Sequence, residues 1–101
     1  MKVKTIEFAP YAYESITVSD SAVGLTSSVY TQANYSIKAF ITLETAQIRW
    51  RIDGDAPTSS EGHLLEVGQT LTLESSDTVK SLKAIRTGST SGVIKVTYLR
   101  G

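Results

Sequence analysis

The stretch QIRWRIDGDAPTSSEGHLL, residues Gln47 to Leu65, decides the fold class of this chain. Its first half alternates strictly, with Ile48, Trp50 and Ile52 separated by polar residues. A period of two with apolar residues on one side is typical of a strand with one buried face. We therefore expect a β-strand over 47–53, with Trp50 in the core.

The second half of the stretch predicts a turn and an ordered polar loop. Glycine adopts the positive φ of tight turns, so Asp53-Gly54 is expected to end the strand. Pro57 removes a backbone donor, and the chain cannot simply continue in a sheet there. The sequence predicts a positive φ at Gly54 or Gly62, and a loop that lasts until His63.

Short β-rich runs separated by turn residues fill the rest of the chain. The run 37–43 and the run 93–99 each place aliphatic residues on one face, while the phase of 79–86 stays open between Leu82 with Ala84 and Val79 with Ile85. The three-residue connection 44–46 favours an antiparallel hairpin. No run has the spacing and caps of an amphipathic helix. The expected strands cover 2–8 (ended by Pro10), 15–18, 37–43, 47–53, 69–74, 79–86 and 93–99.

This spacing of strands and turns predicts an all-β fold. We expect a β-sandwich, jelly-roll or Ig-like, of seven to eight mostly antiparallel strands. A chain of 101 residues without an internal repeat or linker is expected to form a single domain, 1–101. Residues 1–13 form either an N-terminal arm or an edge strand at an interface.

Composition narrows the classes of partner and chemistry. Ten basic and ten acidic residues cancel, which gives no electrostatic reason to expect nucleic acid or an anionic membrane as partner. The absence of cysteine removes disulfides, thiolate metal sites and Cys nucleophiles. No apolar run at the N-terminus resembles a signal peptide, so synthesis in the cytoplasm is expected.

The loop contains residue types used in hydrolase triads and calcium sites. His63, the only histidine, lies near Asp53, Ser59 and Ser60 in sequence, but no nucleophile elbow or supporting helix is predicted. The acidic residues of the loop lack the spacing of an EF-hand. We expect no enzyme activity, no metal and no cofactor, and a structural role for His63 with its ring bonded to the loop backbone.

Three arginines near the loop allow two interpretations. Arg49, Arg51 and Arg86 form either a basic stripe or, as favoured here, one half of a set of cross-strand ion pairs. The acidic residues considered as their partners are Glu66, Glu74 and Asp77.

The N-terminal segment carries the predicted interface. Ile6 and Phe8 are in phase, which a solvated arm does not need, and Tyr11 and Tyr13 project to the same side if extended. Amphipathic tyrosine rings are frequent at interfaces. These four residues are the candidate contact residues of a homo-oligomer, because an open edge strand and a low net charge both favour self-association.

The second half of the chain, residues 37–100, resembles a family of small bacteriophage and prophage structural proteins. The shared features are an Arg-rich strand end, a DG…PT…GH turn, a G-x-x-L-x-L strand and a closing strand. They correspond here to Arg49–Gly54, Pro57-Thr58, Gly62-His63-Leu65, Gly68-Leu71-Leu73, and Ile85-Arg86-Gly88 to Val96-Tyr98. The resemblance implies a virion part: a head decoration (cement) protein, with a trimer as the assembly suggested by analogy, or a tail- or fibre-associated adhesion protein.

The partners that this resemblance implies are copies of the chain itself and a phage capsid or tail protein. A second likeness, of the strand–DG–PTSS pattern, is to Ig-like domains appended to some glycoside hydrolases. The alternative function is a carbohydrate-binding module, which exposed Trp50 or exposed tyrosine pairs would favour over a protein interface.

Overall fold

A computed structural model describes residues 7–101, which form seven β-strands and two short helices. The expectation of a predominantly β, antiparallel fold is confirmed. Most of the expected strand 2–8, including Ile6, lies outside the described residues. The elements are β1 (Ala9–Val18), α1 (Ser27–Tyr30), β2 (Ile37–Glu44), β3 (Ile48–Arg51), β4 (His63–Leu65), β5 (Thr70–Leu73), α2 (Ser76–Ser81), β6 (Lys83–Arg86) and β7 (Gly92–Arg100).

The strands form two antiparallel sheets. One has the order β1-β7-β2-β5 and the other has the order β4-β3-β6. β7 pairs along most of its length with β1 on one side and β2 on the other. The strand that comes last in sequence therefore lies inside the larger sheet.

The inward faces of both sheets contribute to one buried cluster. The predicted alternation of 37–43 and 93–99 is confirmed, and Tyr98 at the end of the second run has no exposed surface. The members of the cluster on strands are Val18, Ile37, Ala39, Ile41, Leu43, Ile48, Leu65, Leu73, Ala84, Ile94, Val96 and Tyr98.

The expected hairpin over 44–46 is wrong. β2 and β3 belong to different sheets, because β7 and β5 already occupy both sides of β2. Thr45 adopts a left-handed φ of 79°, and the Ala46 N–H donates to the Glu44 carbonyl at 3.0 Å. This tight bend sends the chain across the core, so that Ile48 is buried from the opposite side.

The expected strand 79–86 is wrong in its first half, which is the helix α2. Ser75 and Thr78 form a capping box: the Ser75 hydroxyl accepts from the Thr78 N–H at 3.2 Å, and the Thr78 hydroxyl accepts from the Ser75 N–H at 3.3 Å. The helix buries Val79 completely. In the following segment Leu82 and Ala84 are buried, which settles the phase that the sequence left open. Neither helix of residues 7–101 has the length and apolar character needed to span a bilayer.

The expected end of the first strand at Pro10 is also wrong. β1 runs through Pro10, and its register with β7 shifts between Pro10 and Ala12. Proline is tolerated there because β1 is an edge strand, where the missing N–H costs no ladder bond on the open side. The predicted strand 15–18 is thus the second half of β1.

Candidate interaction surface

The outer face of the four-stranded sheet exposes two aromatic rings in one row. Tyr13 lies opposite Thr97, Thr97 opposite Phe40, and Phe40 opposite Thr72, across all four strands. Tyr13 is 64% exposed and Phe40 is 42% exposed. Because neighbouring strands lie about 4.8 Å apart, the two ring-bearing backbones are roughly 10 Å apart. We call the side chains of this row and its neighbours on the solvent side the outer face.

The lysines of the outer face are engaged by their neighbours. Lys95 Nζ donates to Ser15 Oγ at 2.9 Å and lies 3.9 Å from a carboxylate oxygen of Glu44. Lys38 Nζ lies 4.2 Å from the centroid of the Phe8 ring, in the geometry of a cation–π contact. Phe8 is half-buried in this arrangement. The exposed aromatic rings are therefore the most apolar feature of this face.

Tyr11 does not share this face, so the expectation that Tyr11 and Tyr13 project together is wrong. The register shift before Ala12 places the Tyr11 ring against the core, 6.3 Å from the Tyr98 ring centroid. Its hydroxyl donates to the Val29 carbonyl at 2.8 Å. Burial raises the pKa of Tyr11, and the positive charge of Arg100 acts in the opposite direction. Tyr11 holds β1 to the segment around α1.

Arg100 lies between two tyrosine rings at the end of β7. Its guanidinium carbon is 4.9 Å from the Tyr11 ring centroid and 4.7 Å from the Tyr35 ring centroid. Nη1 also donates to Gln32 Oε1 at 3.3 Å. Tyr35 is 48% exposed, but the guanidinium covers part of its ring. This arrangement makes Tyr35 a poorer sugar platform than Tyr13 or Phe40.

A polar contact fixes β1 from its inner side. The Tyr98 hydroxyl donates to Oε2 of Glu14, and the Thr26 hydroxyl donates to Oε1 of the same carboxylate at 2.6 Å. Burial raises the pKa of Tyr98 well above its ordinary value, and the Glu14 carboxylate raises it further. The charge of Glu14 is thereby directed inward, away from the outer face.

Arg49 ties the loop after β3 to its strand. Its Nη1 donates to the Gly62 carbonyl at 2.9 Å and its Nε donates to the Ser59 carbonyl at 3.3 Å. The predicted positive φ is confirmed at both glycines, 95° at Gly54 and 129° at Gly62. A Cβ on Gly62 would also lie 3.0 Å from the Cβ of Pro57. The sequence shows Arg49 only as one of the three arginines near the loop, because its acceptors are main-chain carbonyls that no motif marks.

Arg51 forms an ion pair within the turn. Its guanidinium bonds the Asp53 carboxylate and lies 3.5 Å from a carboxylate oxygen of Asp55. This hydrogen bond raises the pKa of Arg51 and lowers that of Asp53. The expectation of cross-strand ion pairs is wrong for Arg51, because its partners Asp53 and Asp55 lie in the adjoining turn and not on a neighbouring strand. Within residues 7–101, no group of three or more His, Asp or Glu side chains is placed to hold a metal ion.

His63 contacts Trp50 and not the loop backbone that the sequence predicts. The two ring centroids are 4.7 Å apart at an interplanar angle of 38°. Trp50 packs against the core but is only partly buried. The sequence therefore predicts correctly that its ring faces the core, but not that the ring stays partly exposed. His63 lines a cleft of about 270 Å³ with Arg51, Glu61 and Gly62.

Ser59 lies in a different cleft. That cleft, of about 460 Å³, lies between the loop and β6. Two of the residues named for a triad, Ser59 and His63, therefore line different clefts. The residues that line the cleft containing Ser59 include Asp20, Pro57, Thr58, Ser59, Ile85 and Arg86.

Comparisons with known proteins add no assignment: no family model, no curated protein and no solved structure matches this chain.

Proposed function

We propose that this chain is a non-enzymatic structural protein of a phage virion, most simply a capsid decoration protein, that acts by binding other proteins through the outer face. The observation that carries the binding role is the exposed pair Tyr13 and Phe40 in one register row of the larger sheet. The virion assignment and location come from the resemblance of residues 37–100 to phage structural proteins.

The chemistry of the outer face favours a protein partner. Exposed aromatic rings concentrate at protein interfaces, where a large rigid surface is buried at little entropic cost. Because the net charge of the chain is zero, electrostatic repulsion between copies opposes their close packing only weakly. On a shell with many equivalent sites, such contacts gain avidity even when each one is weak.

The proposed partners are copies of this chain and a phage capsid or tail protein. The N-terminal residues 1–13 supply part of the contact, and Tyr13 is an exposed aromatic residue among them. A trimer is the assembly that the resemblance suggests.

We also propose that the two sheets form an Ig-like sandwich and not a jelly roll. β2 pairs with β5 in one sheet and β3 pairs with β6 in the other, as the corresponding strands of Ig domains do. Two strands depart from the seven-stranded constant-type plan, because β7 joins the sheet of β2 and β4 joins the sheet of β3.

Light scattering on the purified chain at roughly tens of micromolar, compared with the double variant Tyr13→Ser/Phe40→Ser, tests the binding role. We expect an oligomer for the unchanged chain and a smaller species for the double variant. Thr72→Ser, on the same row, is the control and should leave the assembly unchanged. If the unchanged chain is monomeric, the proposed self-association is wrong. If mass spectrometry does not find the protein in purified phage particles, the proposed virion role is wrong.

A carbohydrate-binding module is the second candidate, because the same two rings also resemble a stacking platform. Isothermal titration with soluble oligosaccharides separates the two functions. Saturable binding that Phe40→Ala abolishes would favour the sugar-binding function. Binding heat that Phe40→Ala leaves unchanged would locate any sugar site elsewhere.

A further inference from the structure

The four edges of the two sheets are protected unequally. β4 has three residues and β5 has four, and such short edges offer little to a partner strand. The edge of β6 is covered by the segment after β1: Val23 and Ala84 exchange backbone hydrogen bonds of 2.9 and 2.8 Å, and the Arg86 N–H donates to the Ser19 carbonyl at 3.0 Å. β1, with ten residues, is the long edge.

Among residues 7–101, no strand pairs with the backbone of β1 on its outer side. In the part of the chain that the structure describes, the strand that pairs with β1 is β7. Pro10 and the register shift interrupt its start, whereas Ala12 to Val18 pair with β7 in unbroken register. Alternate residues of this seven-residue segment therefore present main-chain N–H and C=O groups on the side away from β7.

This edge also lacks the charges that usually block strand addition. Glu14 is the one charged residue of β1, and Tyr98 and Thr26 hold its carboxylate on the inner side. The solvent side of the segment carries Tyr13, Ser15 and Thr17. Because the solvent-side residues of the segment are uncharged, a second copy of the same segment can pair with it without placing like charges opposite each other on that side.

We propose that Ala12–Val18 pairs antiparallel with the same segment of a second copy, with Ser15 on the two-fold axis. This inference rests on the proposed self-association and places the contact between copies at the β1 edge, with Tyr13 as the member of the outer face that takes part. In this register all seven residues pair, and Tyr13 lies opposite Thr17 of the second copy, an aromatic and β-branched pair of the kind that stabilises sheets. Centring on Glu14 instead would oppose two carboxylates.

The pairing joins two four-stranded sheets into one of eight strands. Because the two-fold axis is perpendicular to the sheet, both copies present their outer faces on the same side. Two-fold contacts close after two copies, so the assembly unit is a dimer in place of the trimer that the resemblance suggests.

Cysteine cross-linking tests the register, since the chain contains no cysteine of its own. Ser15→Cys should form a disulfide-linked dimer under mild oxidation, because the two residues face each other. Thr17→Cys is the control: its two copies lie about 14 Å apart in this register, beyond the reach of a disulfide. Equal cross-linking of both variants, or no cross-linking of the Ser15→Cys variant, overturns the pairing.

Two aspartate substitutions give a second, independent test, in which the strength of association is measured. Ser15 and Thr42 flank Lys95 on β7 from its two sides, so an aspartate at either position meets the same cation. Only Ser15→Asp brings two carboxylates together on the axis, and we expect it to weaken association roughly fivefold. Thr42→Asp should leave association unchanged.

Sedimentation equilibrium separates failure of this contact from failure of the proposed function. A dimer that Ser15→Asp weakens supports the edge pairing. An oligomer that Ser15→Asp leaves intact, or an unchanged chain that is trimeric, overturns the edge pairing but keeps self-association. A monomeric unchanged chain overturns both.

Discussion

Tyr98 is the residue at which the core meets a polar contact. The alternation of 93–99 predicts that it faces inward, and the structure gives it no exposed surface. Its bond to Glu14 joins residues 84 positions apart, and no local pattern in the sequence marks such a pair. Burial of Tyr98 was therefore predictable from its neighbours, whereas its partner was not.

Replacing Tyr98 by Phe should reduce the dependence of stability on pH in the alkaline range. The folded state raises the pKa of Tyr98, while an unfolded tyrosine ionises near pH ~10. Above that pH the unfolded chain binds fewer protons than the folded chain, so stability falls as pH rises. Denaturant unfolding of wild type and variant between pH 8 and pH 11 (roughly the range on either side of this pKa) measures the slope.

In Tyr98→Phe this downward slope should be smaller. At neutral pH the variant should lose about 1–2 kcal/mol, because the partly buried Glu14 carboxylate loses a donor. Tyr13→Phe removes an exposed hydroxyl that takes no part in this contact and serves as the control. An unaltered slope in Tyr98→Phe would assign the alkaline loss of stability to other groups.

At the scale of elements, α2 shows what strand patterns miss. Six residues are too few for a helical period to show in the sequence, and Val79 reads equally well as part of a strand. The capping pair Ser75 and Thr78 was the available signal, although Thr stands where Glu or Gln is usual. Burial of Val79 against the core then fixes a helix that propensity alone leaves undecided.

Ser75→Ala should therefore destabilise the fold by about 1 kcal/mol, the usual cost of a lost N-cap. The expected result is a lower midpoint of denaturant unfolding with an unchanged slope. Ser89→Ala, in the exposed turn before β7, is a matched control with a small expected effect. Equal midpoints for Ser75→Ala and wild type would mean that tertiary packing alone holds α2.

At the scale of the whole molecule, the two sheets share one buried cluster. The sequence predicted a sandwich of two sheets around one core, since alternation marks the inward face of each strand. It did not predict which strands neighbour each other, because a bend such as the one at Thr45 serves a hairpin or a crossing equally well. Nor did it predict that Pro10 lies inside a strand, since that depends on β1 being at an edge.

A shared core predicts that the sheets unfold together. Trp50 reports on the smaller sheet through its fluorescence, while far-ultraviolet circular dichroism reports on both. The two thermal transitions should coincide, as they do for a single cooperative unit. Two separate midpoints would show that the sheets are independently stable.

The position of β7 also has a consequence for how the protein is made. β1 and β2 are separated by β7 in the sheet, yet a ribosome delivers β7 after the other six strands. Until then β1 lacks its partner β7, and β2 can pair only with the short β5, so the unpaired strand edges of the growing chain are prone to misassembly. The larger sheet can close only after β7 has left the exit tunnel, which makes assembly of this sheet an event that follows translation of its last strand.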